Sequence, residues 1–373
     1  MSTKPGNKRR AALKDVAAAL GVSPATISNA YNRPQHVSAE LRERVFETAK
    51  QLGYPGPHPI ARSLRRGQSG ALGVLYAERL SYAFGDPVAS LFLRGLSTAT
   101  EEAGLGLLLV PATPNATPAV STVQGAAVDG LVLYSIAEDD VRLGEALARG
   151  LPTVVVDQPR LEGLPFIGID DRGAAREAAE HLGGLGHRTV GIVTFPLAPG
   201  AENSLIQQLS NLARGYPLSH ARLQGYLDGL MAFGLSPQRD VVVYECAVNT
   251  FEHGSLAAQA LLDTRPDLTA VLATSDQLAL GVISAAREAG RRVPQNLSVV
   301  GFDDALGADL AQLTTVHQPS EEKGVRAGRA LIARLRGEPV PEVQMLSTQL
   351  VMRGTTGAPE AHLTLPWVTR SLD

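Results

Sequence analysis

Three aspartates stand where short apolar runs end: Asp157 after TVVV, Asp276 after AVLATS and Asp303 after VVGF. If these runs are parallel strands, the aspartates lie at the sheet edge where open α/β sheets bind ligands. Carboxylates at such an edge can accept hydrogen bonds from neighbouring hydroxyl groups. Each aspartate taken alone is equally compatible with an ordinary turn. An aromatic wall is expected from residues that follow the first apolar run: Tyr76, Tyr82 and Phe84.

A second group of polar side chains lies near the N-terminus, in the segment PATISNAY. Helical spacing turns Ile27 and Ala30 inwards and leaves short uncharged side chains on the outer face. Such side chains can read base edges in a DNA groove, while the first two residues of the segment offer only apolar contacts. The candidate major-groove residues are Pro24, Ala25, Thr26, Ser28 and Asn29. Flanking cations suited to phosphates are Lys8, Arg9, Arg10, Lys14 and Arg33.

The distribution of charge also favours a polyanionic partner for the N-terminal segment. Residues 1–70 contain twelve Lys or Arg and four Asp or Glu, a balance of +8. Because the whole chain has a net charge of −3, the remaining residues carry −11. A basic head on an acidic body is typical of a protein whose head meets nucleic acid, although a solvated basic tail would have the same composition.

The elements that position the N-terminal side chains are three short helices. LKDVAAAL has apolar residues at helical spacing and is followed by Gly21, a suitable stop. Ser23 and Pro24 suit the N-cap and first turn of the next helix. Ser38 caps a third helix, AELRERVFETAKQL, and Gly53 ends it. Two helices joined by a tight turn and packed on a third predict a helix-turn-helix, with a generic three-helix bundle as the alternative.

From residue 70 onwards, apolar runs alternate with helical stretches. Continuous apolar strands separated by helices predict parallel sheets covered on both faces, here two doubly wound lobes. The predicted strands are ALGVLYA, LGLLLV, GLVLYS, PTVVVD, RTVGIVTF, DVVVYE, AVLATSD and LSVVGFDD.

Several spaced motifs together carry a family resemblance. The segment LKDVAAALGVSPATISNAYNRPQHVSAELRERVFETAKQLGY resembles the DNA-binding head of the lactose-repressor (LacI/GalR) family. The similarity continues in the same order through HPIARSLRRG, RLQGY, ATSDQLALG, VVGFDD and LTTVHQP. The resemblance implies a bacterial transcriptional repressor with a periplasmic-binding-protein-like core, whose chain crosses between the lobes three times.

The family's organisation implies a head at 1–56, a hinge helix and linker at 57–69, and an effector-binding and dimerisation core at 70–373. Within the core, the N-lobe is expected at about 71–168 and 313–338, and the C-lobe at about 169–312 and 339–373. By resemblance, Arg222, Asp276 and Asp303 contact an effector, most often a sugar in this family; Asp157 has no such support. The hinge contacts expected in the minor groove are Ala61, Arg62, Leu64 and Arg65, with the leucine wedged between base pairs.

The resemblance further implies a homodimer on a pseudo-palindromic operator. The C-terminal segment APEAHLTLPWVTRSLD lacks apolar heptads, so no tetramer-forming coiled coil is expected. The segment 195–221 is rich in Gly and Pro and is either a lid over the ligand or a surface loop.

Other classes of protein fit the sequence less well. A secreted solute-binding protein would share the two lobes but should carry a signal peptide and no basic head. An enzyme should carry a signature such as GxxxxGK[ST], HExxH or GxSxG, and the sequence contains none of these. The single cysteine, Cys246, excludes an internal disulfide. We therefore expect a cytoplasmic, nucleoid-associated protein without cofactor, metal or membrane partner.

Overall fold

The computed structural model describes residues 11–56, 67–76, 80–110, 122–209 and 215–360. The chain divides into two compact units, residues 1–70 and 71–373. No helix in the described part of the chain is both long and apolar enough to cross a membrane.

The first unit contains the three expected helices: α1 (Leu13–Leu20), α2 (Pro24–Asn32) and α3 (Ala39–Gln51), with a 3₁₀ turn at Pro34–His36. Gly21 ends α1 in the left-handed conformation at φ 67°. The Ser23 Oγ accepts a hydrogen bond from the Thr26 N–H at 3.0 Å and so caps α2. A small apolar core joins the helices through Val16, Ala17, Ile27, Ala30, Val45 and Ala49.

The second unit is built on two sheets. The first has the order β12-β5-β4-β3-β1-β2, and all of its pairs are parallel. Its strands are β1 (Ala71–Tyr76), β2 (Gly106–Val110), β3 (Gly130–Tyr134), β4 (Thr153–Val156), β5 (Phe166–Ile169) and β12 (Val343–Leu346). With its helices it forms the N-lobe.

The second sheet has the order β13-β11-β10-β9-β6-β8-β7, and only its two edge strands pair antiparallel. Its strands are β6 (Val190–Thr194), β7 (Ser204–Leu205), β8 (Val241–Glu245), β9 (Ala270–Ala273), β10 (Ser298–Asp303), β11 (Thr314–His317) and β13 (Gln349–Val351). Every residue of β6, β9 and β10 is buried, as expected for parallel strands covered on both faces. This sheet and its helices form the C-lobe.

Helices cover the sheets, and the longest of them pack in pairs. The pairs are α5 with α12, α8 with α9, and α10 with α11. The helices of the second unit are α4 (Leu80–Gly85), α5 (Pro87–Glu102), α6 (Thr122–Gly125), α7 (Val141–Ala148), α8 (Asp171–Gly184), α9 (Pro217–Ala232), α10 (Phe251–Thr264), α11 (Asp276–Glu288) and α12 (Ser320–Leu335).

The sequence-based lobe boundaries near the C-terminus require correction. Strand β11, at 314–317, was expected in the N-lobe but pairs with β10 in the sheet of the C-lobe. Strand β12, at 343–346, was expected in the C-lobe but pairs with β5 in the N-lobe. The chain therefore passes between the lobes after β5, after β11 and after β12, which are the three crossings that the family resemblance implies.

The pairing of α5 with α12 depends on glycines that face the neighbouring backbone. A Cβ built on Gly95 of α5 would lie 1.9 Å from the Glu321 carbonyl oxygen, and one on Gly324 of α12 would lie 2.0 Å from the Phe92 carbonyl oxygen. Only a residue without a Cβ permits this approach, because the obstructing atoms belong to the backbone. The close approach also fixes the position of Lys323, which directly precedes Gly324.

We expect Gly95→Ala to destabilise the second unit by about 1–3 kcal/mol, because α5 and α12 must separate to admit the methyl group. Thermal and urea unfolding measure the change. Gly144 in α7 is the matched control, since a Cβ there meets nothing within 4 Å. Gly144→Ala should leave stability unchanged or raise it by about 0.5–1 kcal/mol. Equal stabilities for the two variants would contradict the packing argument.

Candidate functional site

A cleft lies between the two lobes, at the C-terminal ends of strands from both sheets. Its volume is about 200 Å³, more than ten times the roughly 10–15 Å³ that one water molecule requires. The N-lobe lining includes Tyr76, Tyr82, Asp86, Tyr134, Ser135, Asp157 and Gln158. The C-lobe side includes Phe195, Pro196, Tyr216, Leu218, Ser219, Arg222, Val248, Asn249, Ser275, Asp303 and Gln318. The position agrees with the rule that ligands bind beyond the carboxyl ends of parallel strands.

Residues at three of these strand ends adopt left-handed backbone conformations. Ser135 follows β3 at φ 51°, Asp157 follows β4 at φ 65°, and Asp303 ends β10 at φ 128°. Non-glycine residues rarely take such angles, and they concentrate at sites where a side chain must be held in a particular direction. All three residues line the cleft.

Arg222 of α9 is the cation at the centre of the C-lobe side. Its Nε donates to Asp171 Oδ1 at 2.8 Å, and its Nη1 donates to the Thr274 carbonyl oxygen at 2.7 Å. The same Nη1 lies 3.4 Å from Asp303 Oδ1. The guanidinium carbon lies 3.6 Å from the centroid of the Phe302 ring. Arg222 is therefore buried, stacked on an aromatic ring and paired with carboxylates. A rigid planar guanidinium suits this arrangement better than the ammonium group of a lysine would.

Asp303 is a buried carboxyl group in the cleft wall. Gln318 Nε2 donates to its Oδ1 at 2.6 Å. Burial raises the pKa of Asp303 to about 7, against the opposing effect of the Arg222 charge. A carboxyl group in this condition can act as acceptor or, when protonated, as donor.

Lys323 of α12 connects this cluster to the N-lobe. Its Nζ donates to Asp157 Oδ1 at 2.5 Å and to Gln318 Oε1 at 2.7 Å. A continuous chain of polar contacts therefore runs from Asp157 through Lys323, Gln318, Asp303 and Arg222 to Asp171. This buried polar chain passes from the sheet end of the N-lobe into the C-lobe.

Two further hydrogen bonds join the lobes directly. The Tyr82 hydroxyl donates to the Asn249 carbonyl oxygen at 3.0 Å. The Leu218 N–H donates to Gln158 Oε1 at 2.9 Å. All four residues line the cleft, and an opening that moved the lobes apart at these points would break both bonds.

Two aromatic residues of the N-lobe lining, Tyr76 and Tyr134, are in ring contact, and Phe92 stacks on Tyr134. The Tyr134 ring lies 5.0 Å from the Tyr76 ring and 4.1 Å from the Phe92 ring, measured between centroids. Burial raises the pKa of Tyr76 well above its usual value, so its hydroxyl stays protonated and can donate. Flat apolar faces next to polar groups suit a ligand with both C–H and O–H surfaces.

The structure places the predicted cleft residues in two classes. Tyr76, Tyr82, Arg222 and Asp303 line the cleft, and so does Asp157, which had no support from the family. Phe84 is 68% exposed and does not line the cleft, because α4 turns this side chain to the surface.

Asp276 also differs from its expected position. It is buried beneath the cleft surface, where its Oδ1 accepts from Thr315 Oγ1 at 2.5 Å and its Oδ2 accepts from the Ala305 N–H at 2.8 Å. Burial raises its pKa well above the usual value. In this structure Asp276 holds the loop after β10 instead of lining the cleft.

Sequence reasoning missed Gln318, Lys323 and Asp171. One signal was present: Lys323 is the only lysine after residue 50. Asp171 follows the end of β5 by two residues, directly after the N-cap of α8, but the apolar run FIGI was not among the predicted strands.

The segment 195–221 contributes to both the cleft wall and the C-lobe sheet. Its ends contribute Phe195, Pro196, Tyr216 and Leu218 to the cleft. Its middle forms β7, which extends the edge of the C-lobe sheet. Residues 210–214 lie outside the described ranges.

The outer face of α2 in the first unit contains the predicted base-reading residues. Pro24 and Ala25 are exposed, while Thr26, Ser28 and Asn29 are half-buried. The Thr26 hydroxyl shares a hydrogen bond with Ser23 Oγ at 2.8 Å. Asn32 Nδ2 contacts Ser28 Oγ at 3.3 Å. The hinge residues Ala61, Arg62, Leu64 and Arg65, and the cations Lys8, Arg9 and Arg10, lie outside the described residues.

Asp303→Asn should flatten the pH dependence of stability. Because the folded-state pKa of Asp303 is raised to about 7, the folded protein keeps a proton that the unfolded chain releases near pH 4. The stability linked to this proton is present below about pH 4 and is lost as the pH rises towards 7, by up to about 1.4 kcal/mol per pH unit. As the pH rises from about 5 to about 8, the urea midpoint of the wild type should therefore fall more steeply than that of Asp303→Asn.

Asp263→Asn, at an exposed position on α10, is the control and should follow the wild-type curve. Parallel curves for wild type and Asp303→Asn would show that burial does not perturb the Asp303 carboxyl group.

Comparison with known proteins relates both units to one group of regulators. The model for bacterial regulatory proteins of the lacI family matches residues 12–56, and the periplasmic binding protein-like domain matches residues 179–356. An HTH-type transcriptional regulator of Mycolicibacterium smegmatis is 44% identical over 371 residues, covering 96% of this chain and 100% of that protein.

Two solved structures extend the comparison. The transcriptional regulator CelR in complex with cellobiose is 29% identical, with a TM-score of 0.62, over 93% of this chain and 100% of that chain. The lac repressor dimer bound to operator and an anti-inducer has a TM-score of 0.75 over 94% of this chain and 100% of that chain; at 24% identity it shows the shared fold alone. The chain has a helix-turn-helix head and a two-lobed core, and the Mycolicibacterium smegmatis regulator is 44% identical to it over its whole length. The chain therefore belongs to the LacI family of DNA-binding transcriptional regulators.

Proposed function

We propose that the protein is a repressor whose affinity for its operator is controlled by a small molecule, a sugar or sugar derivative, bound in the cleft between the lobes. The observation that carries the proposal is the cleft itself. It combines oriented polar groups with aromatic faces and receives residues from both lobes. A molecule bound there contacts both lobes at once and therefore senses their relative position.

The lining of the cleft favours a hydroxyl-bearing ligand. Asp157 and Asp303 supply acceptors, Arg222 supplies a donor, and Tyr76 and Phe195 supply apolar faces. Pockets for small metabolites combine mainly apolar walls with a few placed polar groups in this way. The relative CelR was solved with cellobiose, which supports a sugar as the ligand class.

The proposed mechanism is a coupled equilibrium between ligand binding and DNA binding. Ligand contacts compete with or add to the interlobe bonds of Tyr82 and Gln158, and so shift the preferred separation of the lobes. A coupling free energy of about 1–3 kcal/mol would change operator affinity by roughly 5- to 150-fold. We propose that the segment 57–69 transmits this change to the DNA-binding head.

We propose further that the repressor acts as a homodimer. Leu306 and Leu310 lie four residues apart in the segment between β10 and β11, and are 81% and 85% exposed. Large apolar side chains exposed together are typical of a protein–protein interface. A dimer would place two recognition helices on the two half-sites of a pseudo-palindrome.

Affinity selection of fragmented genomic DNA on the purified chain tests the proposed function. We expect enrichment of a pseudo-palindromic sequence upstream of a transport or catabolic operon, and loss or gain of that enrichment when a binding metabolite is added. Retention of DNA without a shared sequence at moderate salt, with and without metabolites, would contradict sequence-specific regulation.

Leu64→Ala tests the proposed minor-groove wedge. Unstacking a base step bends the duplex and permits additional contacts, so removing the wedge should weaken operator binding severely. Fluorescence anisotropy on the selected operator measures the loss, and thermal unfolding confirms that the core stays folded. Unchanged operator affinity would exclude Leu64 as the wedge.

A further inference from the structure

Lys323 is an unusual residue in the second unit. No other lysine follows residue 50, so arginine supplies every other basic charge of this unit apart from histidine. Lys323 is also only 2% exposed. Lysines are seldom fully buried unless they are paired. Its ammonium group contacts Asp157 Oδ1 and Gln318 Oε1, two residues of the cleft wall.

The ammonium group determines the orientation of Gln318. Because Lys323 has only donors, Gln318 must present its carbonyl oxygen to it. The amide nitrogen of Gln318 then faces Asp303 Oδ1, to which it donates at 2.6 Å. Lys323 thus sets the direction of two polar groups in the cleft wall, Asp157 and Gln318, and acts on Asp303 through the second.

The charges around the cleft disfavour an anionic ligand. Three carboxyl groups line the described cleft, from Asp86, Asp157 and Asp303, against one cation, Arg222. Arg222 is engaged by Asp171 and Asp303, and Lys323 is engaged by Asp157. An entering phosphate would meet Asp157 and two further carboxyl groups, while both cations remain paired with other groups. Burial of a charge without a partner is strongly unfavourable.

The same groups are well suited to an uncharged ligand with several hydroxyls. Carboxylate oxygens accept from hydroxyl groups, and such hydrogen bonds to a charged acceptor are stronger than neutral ones. The acceptor here is the Asp157 carboxylate. Its position is fixed by Lys323, which is itself held by a buried hydrogen bond to Gln318 Oε1.

We propose that the Asp157–Lys323 pair makes the cleft selective for uncharged polyhydroxy compounds over their phosphate esters and other anions. The inference rests on the proposed effector site and narrows its ligand class. Lys323 is a positioning residue in this scheme, while Asp157 is the residue that contacts the ligand.

Two variants separate the role of charge from that of structure. Asp157→Asn leaves the Lys323 ammonium group without its counter-charge, so the electrostatic repulsion of anions in the cleft decreases. The double variant Asp157→Asn/Lys323→Met removes both charges and keeps side chains of similar length at both positions. Only the single variant should gain anion binding. Asp263→Asn, on the exposed surface of α10, is the matched control.

The experiment is equilibrium dialysis of the full-length chain. One arm uses a metabolite extract of the source bacterium, with mass spectrometry of the retained compounds, and the other uses labelled inorganic phosphate as a defined anion. The wild type should retain an uncharged polyhydroxy compound. Asp157→Asn should bind phosphate at least about tenfold more tightly than the wild type, while the double variant and the control should not.

The outcomes separate this inference from the proposed function. A phosphate ester or carboxylate retained by the wild type overturns the selectivity and leaves the effector site in place. Equal phosphate binding by the single and double variants overturns the role of Lys323. If the extract yields no retained compound, both the effector site and the selectivity are overturned. The class of compound retained by the wild type decides the selectivity even where a variant fails to fold.

Discussion

The buried polar chain from Asp157 to Asp171 is the interaction on which the cleft depends. It contains three carboxyl groups and two cations, all removed from bulk water. Removing one member would leave a buried charge without compensation, which is more unfavourable than never having buried the pair. The residues of this buried polar chain therefore constrain one another's positions across the boundary between the two lobes.

The fold supplies the geometry that the buried polar chain requires. Parallel strands of both sheets end at the cleft, and left-handed residues at three of those ends orient the side chains. The glycines that join α5 to α12 bring Lys323 to the end of β4, where Asp157 lies. Packing of small residues in one helix pair is thus a condition for the electrostatics of the cleft.

The proposed function requires a coupling between the cleft and the DNA-binding head. A ligand that touches both lobes can act on the DNA only through a difference in its affinity for two arrangements of the lobes. The hydrogen bonds made by Tyr82 and Gln158 join the two lobes directly in the cleft wall.

The sequence by itself determined the local structure and the family. Helix spacing, Ser caps and glycine stops predicted all three helices of the head, because these signals act between residues a few positions apart. Apolar runs predicted eight of the core strands for the same reason. The sequence did not predict the lobes to which β11 and β12 belong. Lobe membership depends on the strand with which each one pairs, and the apolar pattern of a strand does not specify that partner.

Only the tertiary structure decided which charged residues form the site. Asp157 and Asp276 both follow apolar runs, yet the first faces the cleft and the second is held beneath it by Thr315 and Ala305. Lys323 pairs with Asp157 across a separation of 166 residues. No local pattern encodes such a pairing, because it arises from the packing of α12 against α5 and beside the end of β4. The sequence marked the lysine as unusual, and the fold gave it a partner.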